Sequence, residues 1–352
     1  MKEYTHGGDL VSARTVWKGE LLDFSANLNP LGMPEGVRKA AEEAVREAIH
    51  YPDPLCRDLG AAIARRDGVA PEQVLCGNGA ADLVFRLAFS QRPARVLVTA
   101  PTFSEYQDAV QAAGGQVVYH RLFPECDFAL TEAVLADLDE GVDMAFFCTP
   151  NNPTGQLIDS GLMLRILERC REKGIRVVVD ECFLALADPG EAAGLAGHLE
   201  KFPNLVLLRA FTKSYALPGL RLGYCLSADG KLLDRLSKCA QPWSVSGPAQ
   251  AAGLAALAEP DYPAKARRLI AGERAWLTAA LESLGLRTFP SRVNYILFQA
   301  PGVDDLKERL LERGVLIRSC ANYVGLGPDY YRVAVRIHWE NEGLIGAMRE
   351  VL

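Results

Sequence analysis

Six short apolar runs alternating with helical patterns constrain this chain more than any other feature. Arg95–Thr99, Gln116–His120, Met144–Cys148, Arg176–Val179, Leu205–Leu208 and Leu222–Leu226 are each four or five residues long and rich in Val and Leu. Two of the five intervals carry helix-period segments, Ser104–Ala113 and Ser160–Lys173, and three more flank the set, Leu55–Asp67, Ala80–Ser90 and Lys231–Cys239. Continuous apolar runs of strand length between helices read as strands covered on both faces. The expected architecture is α/β, a mostly parallel central sheet with helices on both sides.

The C-terminal third has a different pattern. A long helical stretch from about Gly247 to Leu284 contains Pro260 and Pro263 as expected breaks. Strand-like runs follow at Asn294–Phe298, Val315–Arg318 and Arg332–Ile337, with helical segments at Val303–Arg313 and Asn341–Leu352. This reads as a small α+β C-terminal domain. The expected division is an N-terminal segment over residues 1–50, packing with the small domain and a dimer interface, a large domain over 51–245 and a small one over 246–352. A length of 352 residues and a 49% hydrophobic content supply the core that two domains need.

Composition narrows the function classes. A net charge of −6 disfavours general nucleic-acid or anionic-membrane binding. No apolar run approaches the length of a membrane span, and the N-terminus has no secretory apolar core. Nine scattered cysteines without a Cys-x-x-Cys pair, and five histidines without ligand spacing, argue against a zinc site and predict reduced thiols in a cytoplasmic protein.

Four segments carry chemistry. Thr149-Pro-Asn-Asn152-Pro-Thr-Gly155 follows an expected strand, where a rigid Asn-Pro turn aims an amide beyond the strand end. Asp180 ends the run Val177-Val-Val, and a carboxylate at the end of a buried strand needs a partner, either a structural cation or a cationic ring nitrogen. Lys213 lies beside Thr212 and eight residues before Arg221; desolvation near cationic charge would favour its nucleophilic amine. Cys76-Gly77-Asn78-Gly79-Ala80-Ala81 opens a helix with small residues, which lets backbone N–H groups approach a phosphate. Each segment alone also reads as ordinary structure: a turn, a salt-bridge partner, a surface lysine, a helix start. Together they match the needs of pyridoxal 5′-phosphate: an amine for its aldehyde, an acid for its ring nitrogen, an amide for its phenolic oxygen and a helix end for its phosphate.

In this order the segments resemble the fold type I pyridoxal-phosphate enzymes, the aspartate aminotransferase superfamily, over essentially the whole chain. The resemblance implies Lys213 as the lysine bonded to the cofactor, Asp180 as the ring-nitrogen partner and Asn152 as the ligand of the phenolic oxygen. It implies a phosphate site from Gly79, the Ala80 and Ala81 amides, Thr212 and Arg221. Tyr106, in Pro101-Thr-Phe-Ser-Glu-Tyr106, matches the aromatic residue that stacks on the ring. Tyr51 matches a residue that reaches the neighbouring subunit's phosphate, which implies a homodimer with shared active sites. Arg336 matches the arginine that takes the substrate carboxylate. Phe183 stands where many relatives have a tyrosine that bonds the phenolic oxygen, and Ala210 where many have a phosphate-binding hydroxyl.

Two branches of the superfamily compete, the histidinol-phosphate aminotransferases and the threonine-phosphate decarboxylases. Five segments resemble the decarboxylases: His6-Gly-Gly-Asp9, Phe24-Ser-Ala-Asn-Leu-Asn29-Pro-Leu-Gly32, Gln241-Pro-Trp243-Ser-Val245, Ile317-Arg318-Ser-Cys-Ala-Asn322-Tyr323 and Tyr330-Tyr331-Arg332-Val-Ala-Val-Arg336. That branch implies a decarboxylase of a phosphorylated amino acid in cobalamin biosynthesis. His6, Asn29, Asn152, Arg318 and Arg332 then join Arg336 as candidates to hold the small phosphorylated substrate. The alternative is transamination of a phosphorylated substrate such as histidinol phosphate. A regulatory, non-enzymatic use of the fold is the distant third reading.

Overall fold

The apolar runs fold as strands of one sheet in the computed structural model, which describes residues 6–352. In chain order the strands are β1 (Leu22–Asp23), β2 (Val74–Gly77), β3 (Arg95–Ala100), β4 (Gln116–Arg121), β5 (Met144–Cys148), β6 (Arg176–Asp180), β7 (Leu205–Ala210), β8 (Gly223–Leu226), β9 (Arg287–Thr288), β10 (Tyr295–Gln299), β11 (Val315–Leu316), β12 (Arg318–Ser319) and β13 (Tyr330–Ala334). The large sheet has the order β2-β8-β7-β6-β5-β3-β4. Strands β4, β3, β5, β6 and β7 run parallel, while β8 is antiparallel to both β7 and β2. The fold is therefore the expected α/β type with a mostly parallel sheet. Strand β2 was not anticipated, because Val74-Leu-Cys is too short an apolar run to stand out from the glycine turn that follows it.

Strand β5 shows why these runs become inner strands. Met144, Phe146 and Cys148 face one core, shared with the helices Ala80–Gln91 and Glu105–Ala112. Ala145 and Phe147 face the other, shared with the helix Ser160–Lys173. All five residues are buried, and each phenylalanine contributes about 1.5–3 kcal/mol by leaving water. The crossover helix Ser160–Lys173 is delimited chemically. Asp159 accepts from the Leu162 N–H at 2.9 Å, and Gly174 ends the helix at φ 69°.

A second, antiparallel sheet, β12-β13-β10-β9, packs against the helices Tyr262–Ser283 and His338–Val351. Strand β1 pairs in parallel with β11, tying the N-terminal segment to the C-terminal third. The expected long helix is two helices, Gly247–Leu257 and Tyr262–Ser283, and Pro263 sits in the first turn of the second, where its missing N–H costs nothing. The first of the pair does not join the C-terminal third. Its Ala249, Ala252 and Ala256 belong to the core of the large sheet, and Gly253 lies so close that a Cβ there would stand 2.6 Å from Leu222.

The large sheet gathers its loops at one edge. The carboxyl ends of β2, β3, β5, β6 and β7 and the amino end of β8 all point there, as register pairs such as Cys148↔Asp180 and Ala210↔Gly223 require. Among the described residues, no helix is long and apolar enough to cross a membrane, and no cluster of His, Cys, Asp and Glu is arranged to hold a metal ion.

Candidate active site

Lys213 lies in a single helical turn, Phe211–Ser214, directly after β7. Residue Asn29 clamps that turn from the N-terminal segment. Its N–H donates to the Lys213 carbonyl at 3.1 Å, and its Nδ2 donates to the Ser214 carbonyl at 2.7 Å. The Asn29 Oδ1 accepts from the Leu31 N–H, so both ends of this side chain serve the backbone. The Lys213 Nζ stands 5.3 Å from the centre of the Phe183 ring. Burial first, then the guanidiniums of Arg332 and Arg221, pull the Lys213 pKa down to about 8, against the opposing pull of Cys182 and Asp180.

Asp180, buried at the end of β6, uses both carboxylate oxygens. Its Oδ2 accepts from the Tyr106 hydroxyl at 2.6 Å and its Oδ1 from the Cys182 N–H at 2.8 Å. This placement corrects the expected role of Tyr106. The residue is wholly buried, its ring stacks on Phe146 at 5.0 Å, and no face is left for a ligand. Phe103, one turn earlier and partly exposed, packs edge-on against Tyr106 at 5.7 Å and presents the aromatic face at this end of β3.

Asn152 follows β5 and is buried. Its neighbour Asn151 pins the turn: Asn151 Nδ2 donates to the Pro101 carbonyl at 2.9 Å, and Oδ1 accepts from Thr102 at 2.7 Å. The Asn152 Oδ1 accepts from Arg332 and, at 3.4 Å, from the Tyr323 hydroxyl. With its oxygen so occupied, the amide turns its Nδ2 donors elsewhere.

Gly79 precedes the helix Ala80–Gln91 at φ 81° and ψ 165°, a conformation open to glycine alone. A Cβ at Gly79 would stand 2.6 Å from Arg221 Nη2, so the guanidinium lies directly over the turn that exposes the Ala80 and Ala81 amides. Thr212 is buried in the turn beside Lys213. Free N–H groups, the positive end of a twelve-residue helix and a guanidinium form a cradle for a phosphate.

The arginines of the second sheet are sorted by register. Arg332 is directly opposite Arg318 in the antiparallel pair β12–β13, so both side chains leave the same face. Arg332 is 5% exposed; it donates to Asn152 and, at 2.8 Å, to the Ser25 carbonyl, and its Nε has no partner among the described residues. Arg318 donates to Asn322 at 2.8 Å and lies 5.5 Å from the centre of the Tyr323 ring. Arg336 does not belong to this group. Strand β13 ends at Ala334, and the Arg336 guanidinium is committed to Glu340 on the following helix. The expectation that Arg336 takes the carboxylate is therefore corrected, and Arg332 is the arginine placed beside Asn152.

The remaining candidates stand at the rim. His6 Nε2 lies 2.9 Å from Glu105 Oε1, and Gly8 N–H donates to Ser25 Oγ at 2.8 Å, so the N-terminal segment packs on the residue whose carbonyl holds Arg332. Tyr51 is 78% exposed and stacks at 4.1 Å on Trp243, itself 42% exposed. Sequence reasoning missed Phe103 and Tyr323 as site residues. Both lie inside segments it singled out, yet only the structure shows which aromatic of Phe103 and Tyr106 faces inward.

An amine of lowered pKa, an oriented carboxylate, an outward-turned amide and a phosphate cradle that a single methyl would crowd fit pyridoxal 5′-phosphate group by group. The family model for aminotransferases of class I and II matches residues 19–344. The chain belongs to that family. Within it, the chain is 39% identical to the threonine-phosphate decarboxylase of Salmonella typhimurium, over 99% of this chain and 96% of the relative. It is 34% identical to the histidinol-phosphate aminotransferase of Nitratidesulfovibrio vulgaris, over 95% and 89%. Among solved structures, the histidinol-phosphate aminotransferase of Clostridium acetobutylicum superposes with a TM-score of 0.88 at 26% identity, covering 94% of this chain and 99% of that one. Membership of the aminotransferase family accounts for the shared edge of the sheet.

Proposed function

We propose that this protein is a pyridoxal-phosphate enzyme that decarboxylates threonine O-phosphate to 1-aminopropan-2-ol O-phosphate. The observation that carries the reading is the pair Arg318 and Arg332, side by side on one face with one guanidinium nitrogen of Arg332 buried and without a partner among the described residues. Like charges directly opposite on a sheet are unfavourable unless anions lie between them. Threonine O-phosphate brings two, a carboxylate and a phosphate. The identity of 39% to the Salmonella decarboxylase over nearly both full lengths supports the same reading.

When bound, the cofactor supplies an aldehyde for the substrate amine and a ring that accepts the electron pair freed at Cα. The chain does the rest. Asp180 would take the ring nitrogen and Asn152 Nδ2 the phenolic oxygen; Gly79, Ala80, Ala81, Thr212 and Arg221 would hold the phosphate, and Phe103 would cover the ring. Arg332 and Arg318 take the two anionic ends of the substrate, with His6 and Tyr323 at the same wall. Two fixed ends would leave Cα one orientation, and that orientation decides which bond at Cα is broken. The Lys213 amine would deliver to Cα the proton that replaces the carboxylate lost as CO2. With a pKa of about 8 it is able both to attack as an amine and to donate as an ammonium near neutral pH. A cytoplasmic location agrees with nine free cysteines, and a homodimer agrees with the exposed pair Tyr51 and Trp243.

The close superposition on a histidinol-phosphate aminotransferase keeps transamination as the second reading. Histidinol phosphate has one anionic group, although the glutamate partner of that reaction has two. The loaded enzyme is therefore offered threonine O-phosphate, with CO2 measured, and separately histidinol phosphate with 2-oxoglutarate, with glutamate measured. Release of CO2 alone is expected. Glutamate without CO2 would overturn the proposal in favour of the second reading, and neither product would overturn both.

A further inference from the structure

Asp180 is held by a hydroxyl that the mechanism above does not use. The Tyr106 phenol donates to Asp180 Oδ2 at 2.6 Å, within the range of charge-assisted O–H···O− bonds, while the Cys182 N–H fixes Oδ1 at 2.8 Å. Each oxygen thus has one N–H or O–H donor, and these donors come from different elements, the helix Glu105–Ala112 and the turn after β6. The phenol is immobilised. Its ring is wholly buried, stacked on Phe146 at 5.0 Å and flanked by Phe103 at 5.7 Å. Burial first, and the charge of Asp180 next, push the Tyr106 pKa well above its ordinary value, so the group stays a donor. The thiols of Cys148 and Cys182 lie against the same carboxylate and are pushed upward by burial and by Asp180, so they bring no competing negative charge.

The terminal torsion of an aspartate is broad. One backbone bond fixes one oxygen and leaves the carboxylate plane free to turn; a second bond, at the other oxygen, fixes the plane. We propose that Tyr106 is a positioning residue, which through Asp180 sets the aim of the carboxylate at the ring nitrogen of the cofactor. The inference rests on the function proposed above. It also separates Tyr106 from Phe103: one ring orients the acid from beneath, and the other covers the cofactor.

The variant Tyr106→Phe keeps the ring and its stacking and removes one oxygen atom. The wild type, Tyr106→Phe, Asp180→Asn and the double variant are compared as holoenzymes for cofactor dissociation by dialysis and for the visible absorbance band. Loss of one hydrogen bond to a charged group is expected to weaken retention about tenfold or more in Tyr106→Phe and to alter the band. The substrate KM should change little while kcat falls. The double variant should retain the cofactor no more weakly than Asp180→Asn, because Tyr106 acts only through that carboxylate. Wild-type retention and spectrum in Tyr106→Phe, or a loss that adds in full to that of Asp180→Asn, would overturn the inference. If Tyr106→Phe does not fold, the crystal structure of the loaded wild type decides: a phenol still bonded to Asp180 supports the inference, and one turned away from it sinks it. A wild type that takes up no pyridoxal phosphate sinks the functional reading and this inference with it. A loaded wild type beside an indifferent Tyr106→Phe sinks the inference alone.

Discussion

The proposed chemistry turns on Lys213 at the scale of single residues, and its lowered pKa gives a sign and a pH. The neutral amine attacks an aldehyde, and its fraction rises until the pH passes about 8, then levels off. Capture of pyridoxal phosphate by the apoprotein, followed by stopped-flow absorbance, should therefore accelerate up to about pH 8 and plateau. Acceleration that continued toward the ordinary lysine value would show that Arg332 and burial do not act on the amine as the structure requires. The linkage to stability has the opposite sense from an ion pair. The unfolded chain binds the extra proton between pH 8 and 10.5, so the cost of burying Lys213 is full below that window and is relieved as pH rises through it. Lys213, Asp180 and Asn152 are conspicuous in the sequence because each polar group stands just beyond an apolar run, and the fold brings all three to one end of the large sheet. Tyr106 was legible as important and misread in role. Its spacing from Phe103 puts both rings on one side of a turn, and only packing against Phe146 decides which of them goes inside.

Strand ends and registers govern the next scale. Gly223 begins β8 opposite both Gly77 and Ala210, and a Cβ there would stand 2.6 Å from the Ala80 nitrogen and 2.7 Å from the Gly79 carbonyl carbon. Those are backbone atoms of the phosphate cradle and have no rotamer to escape into. Gly223→Ala should therefore lower cofactor affinity by displacing backbone atoms of the cradle, and Gly79→Ala should lower it as well, because a side chain at φ 81° is strained and its methyl meets Arg221; equilibrium dialysis measures both, and an unchanged affinity in either variant would contradict the cradle. The small sheet yields a second prediction. Arg332→Lys keeps the charge but loses the forked geometry, and should raise the substrate KM about tenfold or more, since a bidentate ion pair is not replaced by a point charge. Arg336→Lys should leave KM nearly unchanged, because that guanidinium pairs with Glu340 instead. Equal effects of the two substitutions would restore Arg336 to the site. The error at Arg336 has a plain origin. A strand read as Arg332–Ile337 puts residues 332 and 336 on one face by period two, whereas β13 stops at Ala334 and the chain turns toward the helix His338–Val351 before Arg336 is reached. The reversed strand β8 escaped for a similar reason, since apolar content reports burial and says nothing of direction.

At the scale of the molecule, a buried ion network closes the body behind the site. Arg209 forks onto Glu181 at 2.7–2.8 Å and reaches Asp67 at 3.1 Å, tying the ends of β6 and β7 to the helix Arg57–Asp67. Removing one partner leaves a buried charge uncompensated, so Arg209→Met should cost about 3–5 kcal/mol in urea unfolding, whereas exposed pairs such as Lys238 with Asp234 should cost almost nothing. The site itself is closed only on its inner sides. Tyr51 and Trp243 form a stacked pair facing away from the chain, and Gln250 locks the two segments together by donating to the Asp53 carbonyl at 2.9 Å and the Val245 carbonyl at 3.0 Å. A rigid aromatic platform held outward in this way is suited to a protein contact. If Tyr51 completes the phosphate cradle of a second copy, assembly and cofactor retention are one equilibrium. Light scattering should then show a dimer, cofactor retention should fall on dilution through the dimer dissociation range, and Tyr51→Ala should weaken cofactor binding while leaving urea stability within about 0.5 kcal/mol, as for other exposed substitutions. A chain that is monomeric at working concentrations and still holds its full complement of cofactor would show that the platform serves something other than the neighbouring site.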